Sequence, residues 1–225
     1  MVGVAPTQSA TPPLCFGAVP TIVGTSGDDL LVGGDDTADV IVGLGGDDRI
    51  FGGDYFVGGE EADRLCGGPG NDIVSGSYGE DWIRGGGGND EVDGSYRYDV
   101  VLRGGPGDDT VEDCDSEYSG SARLISGGAG NDSLCTDSSP AVLRGGQGDD
   151  TLVDLNCFED EEARLEGGPG NDVFESWFGN YDGSPCSEWG TGDPAPDLLL
   201  GGAGHDTAVV SPADQLNGVE TVEIR

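Results

Sequence analysis

From about residue 30 onward, single non-polar residues recur in the middle of short polar-flanked triplets. One series reads Leu31, Ile50, Val74, Val92, Val111, Leu134, Leu152, Phe174 and Ala208. A second series falls between its members: Ile41, Leu65, Ile83, Leu102, Ile125, Leu143, Leu165 and Leu199. Alternation within three residues is the period of a β-strand. A triplet with one inward side chain cannot build a core by itself; it must stack on copies of itself. Two strands and two connections make one turn of eighteen residues. The pattern therefore predicts an all-β fold, a right-handed parallel β-roll (β-solenoid) of about nine turns with terminal caps.

The connection before each member of the first series carries a nine-residue motif, G-G-x-G-x-D-x-φ-x, with φ non-polar. Seven copies are strict, starting at residues 67, 85, 104, 127, 145, 167 and 201. They hold Gly67, Gly68, Gly70 and Asp72; Gly85, Gly86, Gly88 and Asp90; Gly104, Gly105, Gly107 and Asp109; and Gly127, Gly128, Gly130 and Asp132. The remaining three hold Gly145, Gly146, Gly148 and Asp150; Gly167, Gly168, Gly170 and Asp172; and Gly201, Gly202, Gly204 and Asp206. Two looser copies precede them, with Gly24, Gly27 and Asp29, and with Gly43, Gly46 and Asp48; Thr25 and Leu44 replace their second glycine. Starts one turn apart place all nine loops on one edge of the coil, and every insertion, including 176–197, on the other. On that other edge the residue two before each inward one is Asp39, Asp63, Asp81 and Asp99, then Arg123, Ala141, Ala163 and Asp197.

Composition adds a charge problem. The 225 residues carry a formal charge of −35, and all nine basic residues are arginine. A compact state of that charge repels itself. High glycine and high charge also describe disordered chains, but the regular strand centres argue for order once the charge is neutralised. Arg84, Arg103 and Arg144 share one place after the inward residue, where pairing with neighbouring carboxylates is expected. No basic patch for nucleic acid is visible, and no run of about 20 apolar residues could span a membrane. Six cysteines suggest an oxidising compartment and three disulfides. Cys15 with Cys66 would tie down the N-terminal segment. Cys114, Cys135 and Cys157 fall on successive turns, and Cys186 lies in the long insertion. The expected organisation is a leader or cap at 1–23, a roll at 24–209 and a capping strand at 210–225. Residues 1–20 lack a basic n-region and a long apolar core, so the chain reads as a mature form.

The nonapeptides resemble those of the RTX, or haemolysin-type, calcium-binding β-roll family over about residues 24–225. The Cys-Phe-Gly at 15–17, the Thr-Ile-Val-Gly-Thr at 21–25 and the all-arginine usage are similar to short secreted calcium-binding repeat proteins of high-GC Gram-positive bacteria. The resemblance implies calcium held by loop carbonyls and the sixth-position aspartate, export, and folding on meeting external calcium. The residue types suit that ion. Calcium takes six to eight oxygens, and glycine lets a loop turn its carbonyls inward. One carboxylate per loop is too few for a complete shell, so sites are shared between stacked turns. Nine loops leave eight gaps, giving up to about eight ions on one edge.

No enzyme is expected. The single histidine, His205, sits inside a loop, and neither a G-x-S-x-G elbow nor an H-E-x-x-H helix occurs. The leading reading is a secreted, extracellular, monomeric calcium-binding roll. Aromatic residues such as Tyr78, Trp82, Tyr96, Trp177 and Trp189 gather on the expected irregular edge. They leave open an accessory adhesion module for a glycan or cell-surface partner. A hydrolase or lyase with a site on that edge is the third reading.

Overall fold

The computed structural model describes residues 13–34, 37–53, 61–94, 101–114, 123–136, 141–155, 163–176, 197–210 and 214–224. Among them are twenty strands and no helix. The strands fall into two ten-stranded sheets in which every neighbouring pair is parallel and every second strand of the chain is a neighbour. Sheet A contains Ile22–Val23, Val40–Val42, Arg64–Pro69, Trp82–Gly87, Val101–Pro106, Leu124–Ala129, Val142–Gln147, Arg164–Pro169, Leu198–Ala203 and Gln215–Asn217. Sheet B contains Leu30–Val32, Arg49–Phe51, Ile73–Ser75, Glu91–Asp93, Thr110–Asp113, Ser133–Thr136, Thr151–Asp154, Val173–Ser176, Thr207–Val210 and Thr221–Ile224. This is an all-β parallel solenoid.

Each turn contributes one inward side chain from each sheet, and these form two files along the axis. Ile41, Leu65, Ile83, Leu102, Ile125, Leu143, Leu165 and Leu199 are fully buried in sheet A, opposite Ile50, Val74, Val111, Leu134, Leu152 and Phe174 of sheet B. Each such burial stabilises the fold by about 1.5–3 kcal/mol. The register keeps like on like: Leu65 lies beside Ile83, and Leu134 beside Leu152. The bulk of Phe174 is matched by Ala208 on the next strand. The six-residue strands of sheet A run on into the glycine motif, with Gly68 paired to Gly86 and Gly128 to Gly146. The first three loop residues are thus ladder rungs as well as loop.

The two ends differ. At the N-terminal end, Cys15 is disulfide-bonded to Cys66, and Phe16 meets Trp82 edge to face with ring centroids 5.4 Å apart. At the C-terminal end the last residues add a strand to both sheets, and the inward-register residues Leu216 and Val222 remain 37% and 40% exposed. A second disulfide joins Cys114 to Cys135 on adjacent turns. Cys157 and Cys186 lie outside the described residues.

Two expectations about the surface need correction. Trp82 is not on the irregular edge; it opens a strand of sheet A and lies on that sheet's outer face. Of the three arginines expected to pair with carboxylates, only Arg144 does so among the described residues, with Glu166 at 2.8 Å. Arg84 and Arg103 instead lie over the Phe16 ring, at 5.8 and 5.9 Å from its centroid. The leader places an aromatic ring between them, and a guanidinium stacks well on such a face.

Candidate metal centre

Parallel register carries all nine glycine loops to one edge, and there the sixth-position aspartates form a continuous chain. The backbone N–H of each donates to Oδ1 of the aspartate on the following turn. Asp29 donates to Asp48, Asp48 to Asp72, Asp72 to Asp90 and Asp90 to Asp109, each at 2.8 Å. The series continues through Asp132, Asp150, Asp172 and Asp206 at 2.9–3.0 Å. It ends where the Asp206 N–H donates to Glu220 Oε2 at 2.7 Å. Glu220, in the tail, is a terminator that the motif spacing does not reveal.

The other carboxylate oxygen behaves differently. Oδ2 of Asp48, Asp72, Asp90, Asp109, Asp132, Asp150, Asp172 and Asp206 is buried and has no hydrogen-bond partner among the described residues. A buried anionic oxygen without a donor costs several kcal/mol, of the order of 1–3 or more. Its surroundings are oxygen-rich. A Cβ at Gly67 would run into Asp72 Oδ2 and the Gly85 carbonyl, and one at Gly201 into Asp206 Oδ2 and the Gly218 carbonyl. Gly86 and Gly88 have φ of 139° and 124°, and a Cβ on either would overlap the carbonyl oxygen of Gly68 or Gly70 on the turn before. Each gap between turns is thus lined by carbonyl oxygens and one unpartnered carboxylate oxygen, a donor set that fits a hard cation such as calcium. Among the described residues no three His, Cys, Asp or Glu side chains converge on one point. Any ion here is therefore held mainly by backbone.

The first loop departs from the rest. Asp29 is half exposed, and its Oδ2 takes the Thr25 N–H at 2.5 Å and the Thr25 hydroxyl at 2.9 Å. Thr25, standing where the seven strict loops have glycine, supplies the donor that the other aspartates lack. Leu44 at the equivalent place of the second loop is held at φ 84°, a strained conformation for a side chain of that size.

Burial pushes these carboxyls upward. Asp90 and Asp132 rise to about 7, and Asp72, Asp109, Asp150 and Asp172 to about 6; desolvation leads in each case. For Asp72, Asp90, Asp132 and Asp172 an aspartate of an adjacent turn adds its repulsion, so the row itself deepens the shift; Asp109 and Asp150 feel Asp108 and Asp149 of their own loops instead.

A second polar file runs beside the first. At the fifth loop position the Oδ1 atom of Asp28, Asp47, Asn71, Asn89, Asp108, Asn131, Asp149 and Asn171 accepts the N–H of the next turn's fifth residue, at 2.8–3.1 Å. His205 is the last donor, through its backbone. The motif writes this position as variable, whereas what it requires is a short side chain with an Oδ1.

On the opposite edge, Asp39, Asp63 and Asp81 repeat the first file: the Asp39 N–H donates to Asp63 Oδ1 at 2.7 Å and the Asp63 N–H to Asp81 Oδ1 at 2.8 Å. Burial raises Asp63 to about 7 and Asp81 to about 8. The file is interrupted by exposed Arg123 and buried Ala141 and Ala163, and resumes at Asp197, whose Oδ1 accepts the Ala163 N–H at 2.9 Å. Asp99 lies outside the described residues, as do Tyr96, Trp177 and Trp189.

The model of the RTX calcium-binding nonapeptide repeat matches residues 21–37, 33–65, 67–95, 97–112, 124–138, 142–153, 164–181 and 188–208, well over half of the chain. The chain belongs to this family. It is a calcium-binding β-roll, and in this chain the glycine loops lie on one edge. No curated protein and no solved structure matches the chain. Two disulfides among the described residues suit an oxidising compartment.

Proposed function

We propose that this RTX chain is a secreted, non-catalytic protein whose roll is completed by extracellular calcium. The observation that supports this most strongly is the file of eight buried Oδ2 atoms without hydrogen-bond donors, in a chain of formal charge −35. Without a cation such a row is a stack of mutually repelling, desolvated carboxylates. With one it becomes the bond between successive turns. The sixth-position aspartates and the carbonyls of the loop glycines would hold the ions, which supply positive charge and a template that fixes the spacing of the turns.

Eight such oxygens support up to eight ions. The file begins at Asp48 and ends at Asp206, so the last gap is closed by the Gly218 turn, and the first loop at Asp29 is left with its own internal donor. Eight divalent ions would bring sixteen positive charges and take the formal −35 to −19. Glu166, which pairs with arginines among the described residues, is engaged by Arg144 and Arg164, which fits a structural role better than acid–base chemistry.

The test is a calcium titration of the intact chain, read by far-UV circular dichroism, with magnesium as the control. A cooperative coil-to-β transition in calcium alone is expected, with several ions bound per chain. An unchanged β signal in chelator would overturn the folding role.

A further inference from the structure

The dipeptide Asn-Gly occurs once in the chain, at Asn217–Gly218, where the last strand of sheet A ends in the turn that closes the final gap. Asparagine is a thermolabile residue. Its side-chain amide is lost when the backbone nitrogen of the next residue attacks Cγ. Whether a given asparagine reacts depends on whether the fold leaves that nitrogen free to move. At Asn217 it does. Both residues are exposed, and Gly218, at φ 75°, has no Cβ to crowd the approach. At the equivalent place on earlier turns, Gly24 and Gly43 donate their N–H to Val42 and Cys66 of the following turn, at 2.8 and 2.9 Å. Gly218 stands on the last described turn, and no hydrogen bond among the described residues uses its N–H.

The loop asparagines are built the other way. Asn71, Asn89, Asn131 and Asn171 are just as exposed, and each is followed by an aspartate. The N–H that would have to attack is already bound to the next turn: Asp72 to Asp90 and Asp90 to Asp109 at 2.8 Å, Asp132 to Asp150 and Asp172 to Asp206 at 2.9 Å. Each asparagine also holds its own side chain in place, because its Oδ1 accepts an N–H from the following turn. Stacking thus locks four asparagines and leaves the fifth unlocked, because nothing stacks on it.

We propose that Asn217 is a site of spontaneous deamidation in the folded roll, and that its isoaspartate product withdraws the Gly218 carbonyl from the last gap; this second half rests on the calcium reading of that gap. In the first step the Gly218 nitrogen bonds to Asn217 Cγ, the Cγ–Nδ2 bond breaks, and the amide proton leaves with Nδ2 as ammonia. Water then opens the five-membered imide. Opening at the side-chain carbonyl gives aspartate. Opening at the backbone carbonyl gives isoaspartate, whose main chain runs through Cβ and Cγ and is longer by one methylene. That extra length falls where there is no slack. On one side Asn217 is in register with Leu200, and on the other Glu220 and Thr221 donate their N–H groups to the Asp206 carbonyl at 3.0 and 3.1 Å. Between these anchors the Gly218 carbonyl and Asp206 Oδ2 border the same point beside Gly201.

The test ages the full chain in mildly alkaline buffer, once in excess calcium and once in urea with chelator. Peptide mass mapping follows each asparagine, and labelling by an isoaspartate methyltransferase reports the isomer. Asn217 is expected to gain a single mass unit at nearly the same rate in both conditions, whereas Asn71, Asn89, Asn131 and Asn171 should be slowed by about tenfold or more in calcium. Asn217→Gln should abolish the signal at the cap and keep the wild-type β signal. Slowing of Asn217 by folding as great as that of Asn131, or modification of the folded chain spread evenly over the loop asparagines, would overturn the site. Calorimetry on the same samples reads the consequence. The aged chain should lose its last ion, while aged Asn217→Gln and fresh Asn217→Asp, which adds a charge but no main-chain atom, should keep it. Equal stoichiometry in aged and fresh chains would overturn the second half. A fresh chain that binds no calcium would overturn the reading of the gap, and the modification would still be decided by mass.

Discussion

At the scale of single residues, one oxygen separates the aspartates of the buried row from the first of the series. Asp132 and Asp29 occupy the same place in the repeat, yet Asp132 Oδ2 is buried without a donor and Asp29 Oδ2 is satisfied by Thr25. Loss of groups that merely orient a ligand already costs about 10–100-fold in metal affinity. Asp132→Asn should therefore remove an ion from the calorimetric stoichiometry and raise the calcium midpoint, whereas Asp29→Asn should leave the stoichiometry unchanged. Equal losses for both would show that the orphaned oxygen is not what matters. The same carboxyls set a pH dependence. Their pKa values are raised in the metal-free fold, to about 7 for Asp90 and Asp132. The metal-free fold then binds more protons than the unfolded chain, so this contribution is fully present below the ordinary carboxylate range and is lost as pH rises through about 7. In chelator, β signal should increase as pH falls from 8 to 5. In calcium the trend reverses, because protons compete with the ion and the calcium midpoint should rise as pH falls through 7. A metal-free β signal that grows with rising pH would contradict the burial of these groups.

At the scale of the element, each glycine-bearing strand of sheet A is at once ladder and turn and, in the proposed function, metal cradle. Gly146, at φ 122°, is paired with Gly128, and a Cβ there would overlap the Gly128 carbonyl oxygen. Strain of this kind costs about 1–3 kcal/mol before any loss of metal is counted. Gly146→Ala should lower the urea midpoint in calcium by more than Gln147→Ala, whose side chain is exposed one residue further on. Comparable midpoints would show that the loop has room to spare. Most of this element was legible from the sequence because its period is rigid: a turn of eighteen residues fixes which Leu, Ile and Val point inward and which edge takes the loops. Other features were hidden for physical reasons. The fifth-position file uses Asp or Asn interchangeably, so its requirement for an Oδ1 looks like free variation. Glu220 belongs to no repeat, although it closes the aspartate chain. Arg84, Arg103 and Arg144 stand in one file of the sheet but are separated in the chain by 19 and then 41 residues, so that file exists only after stacking.

At the scale of the whole molecule, a narrow core must hold ten strands per sheet together against a formal charge of −35. The core is one residue wide on each side, and the turns meet only their neighbours, so stability is the sum of many nearly identical steps. A uniform penalty at each step, such as a repelling pair of carboxylates, is therefore multiplied along the axis, and so is a uniform gain from an ion in each gap. Folding should consequently be steep in calcium and global rather than confined to one end. Nine strand spacings give a roll about 43 Å long. An unfolded chain of this length has a radius of gyration near 50 Å, and a compact one about 17 Å, with an elongated roll slightly above that. Small-angle scattering should show a fall from about 50 Å in chelator to about 20 Å in calcium, completed over a narrow range of concentration. The two disulfides among the described residues, which span 51 and 21 residues, shorten the expanded state but leave most of the described residues outside their loops. Magnesium, which favours its own octahedral water shell over a carbonyl cage, should leave the chain expanded. A radius near 20 Å in chelator would mean that the leucine and isoleucine files, with the disulfides, outweigh the repulsion, and that calcium only stiffens a roll already formed.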